Sequence, residues 1–187
     1  MGIMVATLPI AGKQKRVVIS VPKNGFFYVL DAKSGQFISG KNYVPVNWAK
    51  GLDKDGRPIP DPDARYWEKP DGTAIVVPSP IGAHNWEAIA YDPKQQLVYI
   101  PALVMPTKVS TNKDALVGGL SMDFFYGSKG DPKWPTYSEI VAWDPITQTA
   151  RWRQRHPMPV NGGLLNTGNL VFQGTADGFL NAFESTT

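Results

Sequence analysis

The sequence contains no cysteine and only two histidines among its 187 residues. The lack of cysteine excludes a disulfide framework, a cysteine-based zinc site and a thiol nucleophile, and it leaves the redox compartment open. The two histidines, His84 and His156, lie far apart in sequence and have no carboxylate at metal-ligand spacing. This pattern argues against a metal-binding or catalytic role for either of them.

Long apolar runs and helical periodicity are also lacking. The longest apolar run is far shorter than the roughly 20 residues that a bilayer requires. The N-terminus does not have the basic region followed by an apolar stretch that is typical of an export signal. Apolar residues do not recur at the i, i+3, i+4 and i+7 spacing of an amphipathic helix. We therefore expect a chain without a membrane span, an export signal or long helices.

The charge of the sequence is modest, with a formal net value of +3. Lys13, Lys15 and Arg16 form the only dense basic group. A patch of this size is typical of a solvated strand edge, and neither a stacked-aromatic nor a groove-reading motif accompanies it. Nucleic acid is therefore not predicted as a partner.

Turn-forming residues and short apolar runs are abundant instead. Eighteen glycines and seventeen prolines fall between the apolar runs, as in a turn-rich all-β chain. Four times, an apolar run ends in an acidic residue, and in most of these repeats a polar turn and a short return run follow. These acidic residues are Asp31, Asp92, Asp144 and Glu184. A hairpin repeated along a chain predicts a radial or stacked β architecture in which no unit buries its sheet alone.

The spacing of these repeats predicts a β-propeller. The interval from Asp144 to Glu184 matches the ~40–45 residues of a bare four-stranded blade, and the two earlier intervals are longer. We therefore predict one all-β domain over residues 1–187, a partial propeller of about three to four blades, with insertion loops at about 41–84 and 105–138. Because a closed propeller has at least four blades and strands are predicted at both ends, we expect the sequence to be a piece of a larger protein.

Four blocks of the sequence resemble the quinoprotein alcohol dehydrogenases, which use pyrroloquinoline quinone (PQQ). The likeness extends from about Met4 to the last residue and keeps the order of the family's motifs. The blocks are Pro22–Asp31, His84–Trp86, Tyr99–Ala102 and Gly168–Gly178.

This resemblance implies an eight-bladed propeller that holds PQQ beside Ca²⁺ in its central channel. Members of the family oxidise small alcohols in the periplasm and pass the electrons to a cytochrome c. The chain is similar to the C-terminal portion of that propeller only. The family's cation-binding residues and its catalytic aspartate lie upstream of this portion, so we expect no catalytic residue, no metal ligand and no activity from the chain alone.

The resemblance also implies three cofactor-binding residues. Lys23 matches the basic residue that contacts the quinone oxygens, and Asn85 and Trp86 match a pair that lines the cofactor. An ammonium group polarises a quinone oxygen and stabilises negative charge on the ring, while an amide and an indole offer hydrogen bonds and an apolar face. Without the resemblance, Lys23 and Asn85 would be interpreted as turn residues and Trp86 as a core aromatic.

Other aromatic positions have a structural interpretation or mark a departure from the family. Trp143 and Trp152 occupy positions where the family uses tryptophan to pack neighbouring blades. Val160 stands where relatives usually have a tryptophan near the mouth of the channel. A smaller side chain there would widen the substrate entrance or mark a copy that is no longer selected for catalysis, and the sequence does not choose between the two.

Two alternatives to this enzyme function stay open at this stage. Propellers with PQQ-like repeats also serve as scaffolds that bind other proteins and hold no cofactor. The other alternative is a truncated or wrongly assigned reading frame whose product does not fold stably, because an open set of blades leaves large apolar edges to aggregate.

Overall fold

The computed structural model describes residues 2–111, 120–124, 135–156, 158–159 and 161–186. Among these residues, antiparallel β-strands predominate, with two short 3-10 helices at Pro62–Ala64 and Tyr66–Glu68. The strands are β1 (Gly2–Ile10), β2 (Lys13–Val21), β3 (Phe26–Asp31), β4 (Phe37–Asn42), β5 (Ala49–Leu52), β6 (Pro58–Pro60), β7 (Thr73–Val76), β8 (Ala90–Asp92), β9 (Leu97–Val104), β10 (Thr107–Thr111), β11 (Leu120–Phe124), β12 (Tyr137–Asp144), β13 (Thr149–His156), β14 (Asn161–Asn166), β15 (Leu170–Thr175) and β16 (Leu180–Glu184). None of the helices in the described part of the chain has the length and apolar character to cross a bilayer.

Three of the sheets are antiparallel meanders that form successive blades. The first blade is β1-β2-β3-β4, the second is β8-β9-β12-β13, and the third is β14-β15-β16. Each strand pairs with the next strand of its own blade. This architecture confirms the predicted all-β class and partial propeller.

The second blade lies between the other two and is buried on both faces. Along β9, Val98 and Ile100 belong to the cluster shared with the first blade, whereas Leu97 and Tyr99 belong to the cluster shared with the third. Because side chains alternate between the two faces of a strand, a strand covered on both sides is a continuous apolar run. This explains why β9 shows no alternation of polar and apolar residues.

Tryptophans pack at both blade interfaces, as predicted. The ring of Trp143 lies 5.9 Å from that of Phe27, between the first and second blades. The ring of Trp152 lies 5.8 Å from that of Tyr99, between the second and third. The Tyr99 hydroxyl and the Trp152 indole N–H both donate to the carbonyl of Ser185, at 2.9 and 3.1 Å. The interface between the second and third blades therefore combines aromatic packing with hydrogen bonds that cross it.

The repeated acidic residue has a local structural role. In three turns, one carboxylate oxygen of the aspartate accepts the backbone N–H groups of the residues two and three positions later. The residue four positions after the aspartate has a positive φ, which completes the reversal of the chain. The aspartates are Asp31, Asp92 and Asp144, and the residues of positive φ are Gly35 (74°), Gln96 (56°) and Gln148 (54°). An aspartate is favoured here because its side chain replaces a missing backbone acceptor.

The spacing argument was wrong at one of these turns. Asp31 and Asp144 lie between the third and fourth strands of their blades, and Glu184 ends the third strand of the last blade. Asp92 instead lies between the first and second strands of the second blade. The aspartate turn marks a tight hairpin, either between the first and second strands of a blade or between the third and fourth. The intervals that end or begin at Asp92 are therefore not blade intervals.

The two stretches predicted as insertion loops meet in the structure. Residues 41–84 contain the hairpin β5-β6 and strand β7, and residues 105–138 contain β10 and β11. Strand β10 pairs with β7 on one side and with β11 on the other, which makes a small three-stranded sheet. Residues 112–119 and 125–134 of the second stretch lie outside the described residues.

The strand directions place particular connections at one edge of the blades, which we call the upper edge. Antiparallel strands alternate in direction, so every second connection of a blade reaches the same edge. The connections that reach the upper edge are the β2-β3 turn, the stretch between β4 and β8, the stretch between β9 and β12, and the connections from β13 to β14 and from β15 to β16. Lys23 lies in the first of these connections and the Asn85-Trp86 pair in the second. The fold alone therefore puts the predicted site residues at the same edge.

Candidate functional site

The turn that carries Lys23 is in direct contact with the segment that precedes Asn85. The backbone N–H of Ala83 donates to the carbonyl of Lys23 at 2.9 Å. The Lys23 Nζ donates to the carbonyl of Pro80 at 3.4 Å, and the lysine is exposed. Gly82 has a φ of +102°, and a Cβ at this position would lie 2.6 to 2.9 Å from Lys23 atoms. A glycine is therefore required for this close approach.

The Asn85-Trp86 turn is closed by its own hydrogen bonds. The backbone N–H of Asn85 donates to the carboxylate of Glu87 at 3.1 Å. The ring of His84 spans two segments, with Nε2 at 2.8 Å from the Glu87 carbonyl and Nδ1 at 2.8 Å from the Val21 carbonyl. The turn is therefore fixed internally and anchored to the end of β2, next to the Lys23 turn.

The side chains of the predicted pair are available to a ligand. The residue Trp86 is 77% exposed, whereas Trp143 is 2% exposed. In this chain Trp86 is thus a surface aromatic and not a core aromatic, which leaves much of its indole uncovered. The side-chain amide of Asn85 makes no protein hydrogen bond within the described part of the chain. An uncovered indole and an unused amide are the features expected of a site for a flat, polar molecule.

Sequence reasoning missed a group of polar residues beside Asn85. They come from β12, β14 and β15 and line the same cavity as His84 and Asn85. They are Ser138, Glu139, Asn161 and Gln173, together with Glu87 from the turn itself. These residues connect the second and third blades to the site, because the Asn161 amide donates to the Ser138 hydroxyl at 2.6 Å.

One sequence signal would have pointed to this group. Asn161 is followed by Gly162 and Gly163. A Cβ at Gly163 would lie 2.5 Å from the backbone nitrogen of Ala88, and the N–H of Leu164 donates to the Ala88 carbonyl at 2.8 Å. The paired glycines thus allow β14 to lie directly against the segment that follows Trp86.

The charges near the site are distributed unevenly. Glu139 is 2% exposed and forms an ion pair with Arg153, which also donates to the Tyr43 carbonyl at 2.7 Å. Burial, together with the negative charge of Glu87, raises the pKa of Tyr43 well above its ordinary value, so this phenol stays neutral. The buried carboxylate of Glu139 is therefore compensated, and Lys23 is a cation exposed to solvent.

Two expectations about this region stay predictions, namely the role of Val160 and the lack of metal ligands in this chain. Val160 lies outside the described residues. Among the residues that the structure describes, no group of three or more His, Cys, Asp or Glu side chains is arranged to hold a metal ion.

Comparison with known proteins extends over the whole chain. The chain matches no family model. It is 52% identical over 189 residues to lupanine 17-hydroxylase [cytochrome c] of a Pseudomonas species, covering 100% of the chain and 27% of that protein. It is 43% identical over 197 residues to quinohemoprotein alcohol dehydrogenase of Comamonas testosteroni, covering 98% of the chain and 27% of that protein.

Solved structures give the same result. The crystal structure of the Comamonas testosteroni quinohemoprotein alcohol dehydrogenase matches with a TM-score of 0.85 and 42% identity, over 99% of the chain and 29% of that structure. Quinohemoprotein alcohol dehydrogenase ADHIIG of Pseudomonas putida HK5 matches with a TM-score of 0.89 and 37% identity, over 100% of the chain and 29% of that structure.

The chain thus spans about 27% of the length of the curated relatives that it matches. Sequence identity and fold agree along almost all of the chain, and the predicted family is confirmed. The chain belongs to the quinoprotein alcohol dehydrogenases and corresponds to a segment of such an enzyme.

Proposed function

We propose that this chain forms one wall of the PQQ site of a quinoprotein alcohol dehydrogenase that oxidises alcohols to aldehydes. One observation carries the proposal. Lys23 and the Asn85-Trp86 pair lie far apart in sequence, yet the hydrogen bond from Ala83 to Lys23 and the contact of Gly82 with Lys23 hold their turns together. A cation, an amide and an exposed indole are therefore carried on adjoining turns at the upper edge.

The residues present fit the chemistry of this cofactor. PQQ is a planar ring system with an ortho-quinone and three carboxylates, and when bound it supplies the electron-accepting quinone. The ammonium of Lys23 carries three N–H donors, of which one is directed to Pro80 at the long distance of 3.4 Å. The other donors are free to bind a quinone oxygen and to stabilise negative charge there.

Asn85 and Trp86 would orient the ring. The hydrogen bond from the Asn85 backbone N–H to the Glu87 carboxylate fixes the turn from which the side-chain amide projects. The exposed indole of Trp86 offers a wide apolar face beside it. A site built on turns that are fixed by hydrogen bonds loses little conformational entropy when it binds a rigid ligand.

The rest of the reaction is proposed to lie with residues outside this chain. The family resemblance puts the general base and the Ca²⁺ ligands there, so we expect no turnover from the 187-residue chain alone. A cytochrome c as electron acceptor and a periplasmic location belong to the same proposal. They are supported by the family resemblance and, for the acceptor, by the relative named lupanine 17-hydroxylase [cytochrome c].

A binding titration tests the proposed site directly. PQQ is titrated into the 187-residue chain, its Lys23→Ala variant and a Lys33→Ala control, with tryptophan fluorescence as the readout. We expect Lys23→Ala to weaken binding by about tenfold to a hundredfold, because a charge-assisted hydrogen bond is lost. Lys33 lies in the β3-β4 turn at the opposite edge and should not matter.

Two outcomes would contradict the proposal. Equal affinity of the parent chain and Lys23→Ala would remove Lys23 from the site, and an absence of PQQ binding would favour the scaffold function. A parallel assay with PQQ, Ca²⁺, a primary alcohol and a dye acceptor should show no reduction of the dye. Robust turnover would show that catalysis needs no residue outside this chain.

A further inference from the structure

We propose that His84 is held as an imidazolium and that it positions the two halves of the cofactor site against each other. The inference rests on the proposed function, because the site that it positions is the proposed PQQ site. His84 is a positioning residue in this argument, since it contacts backbone groups of the protein and not the cofactor.

The hydrogen bonds of the ring require two protons. Nδ1 lies 2.8 Å from the Val21 carbonyl and Nε2 lies 2.8 Å from the Glu87 carbonyl. Carbonyl oxygens only accept hydrogen bonds, whereas a neutral imidazole has a single N–H. In either neutral form, the lone pair of one nitrogen would face a carbonyl oxygen at this short distance. Both contacts are favourable only when both nitrogens carry a proton.

The ring is enclosed and has little access to water. His84 is 2% exposed. A Cβ at Gly2 would lie 3.0 Å from His84 Cε1 and 2.9 Å from Ile89 Cδ1, so β1 covers the ring on one side. A buried polar atom that lacks a protein partner in such a place is costly, because water does not replace the lost hydrogen bond.

The two acceptors belong to the two halves of the site. Val21 precedes Lys23 by two residues, and Glu87 directly follows Trp86, while His84 itself precedes Asn85. Loss of one N–H would therefore release either the Lys23 turn or the end of the Asn85-Trp86 turn. The positive charge also lies close to a site proposed to bind a molecule with three carboxylates, which favours binding.

The ionisable groups near the ring in the described part of the chain come from several elements. Glu87 on the same turn and Glu139 on β12 line the cavity that His84 lines, and Glu139 is paired with Arg153. Lys23 is the cation on the adjoining turn, and Tyr43, whose pKa is raised by burial, stays neutral. A pH effect on binding is therefore assigned to His84 by comparing variants of the two histidines.

Nuclear magnetic resonance of the ring nitrogens provides the first test. The chain has only two histidines, so ¹⁵N-histidine labelling gives two imidazoles, and a His156→Gln variant assigns them. Burial lowers the pKa of His156, which makes it a neutral reference at pH 7. We expect both nitrogens of His84 to carry a proton at pH 7. A nitrogen of His84 without a proton at this pH would overturn the proposal.

The second test is the pH dependence of PQQ binding to the 187-residue chain. We expect the affinity to fall by about tenfold between pH 6 and pH 9, and His156→Gln should show the same fall. The His84→Gln variant should bind weakly with no pH dependence in this range, because its amide does not titrate. Persistence of the fall in His84→Gln would contradict the proposed role.

The two tests separate this inference from the proposed function. If the parent chain does not bind PQQ, the proposed function fails, while the nitrogen spectra still decide whether His84 is an imidazolium. If His84→Gln does not fold, the spectra of the parent chain decide the protonation state. In that case the pH dependence of PQQ binding by the parent chain and by His156→Gln decides the role: a fall in both supports it, and a flat profile contradicts it.

Discussion

At the scale of single residues, exposed carboxylates use backbone N–H groups to fix turns. The pKa of Asp31 is lowered, first by the backbone N–H of Ser34 and then by its hydroxyl and by Lys33. The pKa of Asp53 is lowered chiefly by the backbone N–H of Arg57, and that of Asp71 by the Thr73 hydroxyl. Each turn therefore binds the charged form of its aspartate more strongly than the neutral form.

These shifts predict a loss of stability in acid. A carboxyl whose pKa is lower in the folded chain contributes stability above its unfolded value, here 3.8, and loses it as the pH falls through the folded value. We expect the contribution of these carboxyls to the free energy of unfolding in urea to be constant above about pH 5 and to fall below about pH 4. An Asp31→Asn variant keeps an acceptor oxygen and does not titrate, so its acid slope should be shallower. Identical slopes for the two proteins would contradict this account.

At the scale of elements, the arginine of one ion pair in the second blade also joins that blade to the first. Arg153 on β13 pairs with Glu139 on β12 and also donates to the carbonyl of Tyr43, which follows β4. Glu139 is 2% exposed, while the Arg153 side chain is 37% exposed. The arginine therefore covers a buried charge and connects two sheets at the upper edge.

Removal of the arginine alone should be strongly destabilising. An Arg153→Met variant leaves the Glu139 carboxylate buried without a partner, and we expect the free energy of unfolding to fall by about 3 kcal/mol. The double variant Arg153→Met, Glu139→Leu should recover most of this loss, because no charge stays buried. Lys54→Met removes an exposed ion pair with Asp55 and serves as the control, with no measurable change expected. Equal losses in the single and double variants would contradict the assignment.

Hairpins and the three predicted cofactor-binding residues were accessible from the sequence for different reasons. The aspartate turns leave a local pattern, so Asp31 and Asp144 could be placed at hairpins, but the same pattern at Asp92 gave a wrong blade interval. Lys23, Asn85 and Trp86 were named through the family resemblance. The structure shows that their turns adjoin, and their contact with PQQ stays a prediction.

Other features had no signal in the sequence. His84 was considered only as a metal ligand or catalyst, because a ring that bonds to two backbone carbonyls from separate blade elements follows no spacing rule. The contact between the two predicted insertions, through β7 and β10, depends on the relative placement of blades. Long-range pairings of this kind are fixed by the assembled fold and not by local propensity.

At the scale of the whole molecule, the three blades are not equivalent. The second blade is covered on both faces, whereas the first and third each have one uncovered face. On the first blade, Ile3 is 65% and Val5 54% exposed. On the third, Leu165 is 63% and Leu180 75% exposed. Since side chains alternate along a strand, Ile3 and Val5 share one face of the first blade and Leu165 and Leu180 share one face of the third, so each face carries an exposed apolar patch.

These two patches predict self-association of the isolated chain. Apolar sheet faces of this kind reduce their contact with water by packing against another face, so sedimentation velocity should show species whose size grows with concentration. The double variant Val5→Thr, Leu165→Thr keeps the β propensity of both positions and makes each face more polar, and it should shift the chain toward the monomer. Its free energy of unfolding should stay within about 0.5 kcal/mol of the parent, because both sites are exposed. A parent chain that stays monomeric at every concentration, or a variant that associates equally well, would show that these faces do not govern the assembly of the chain.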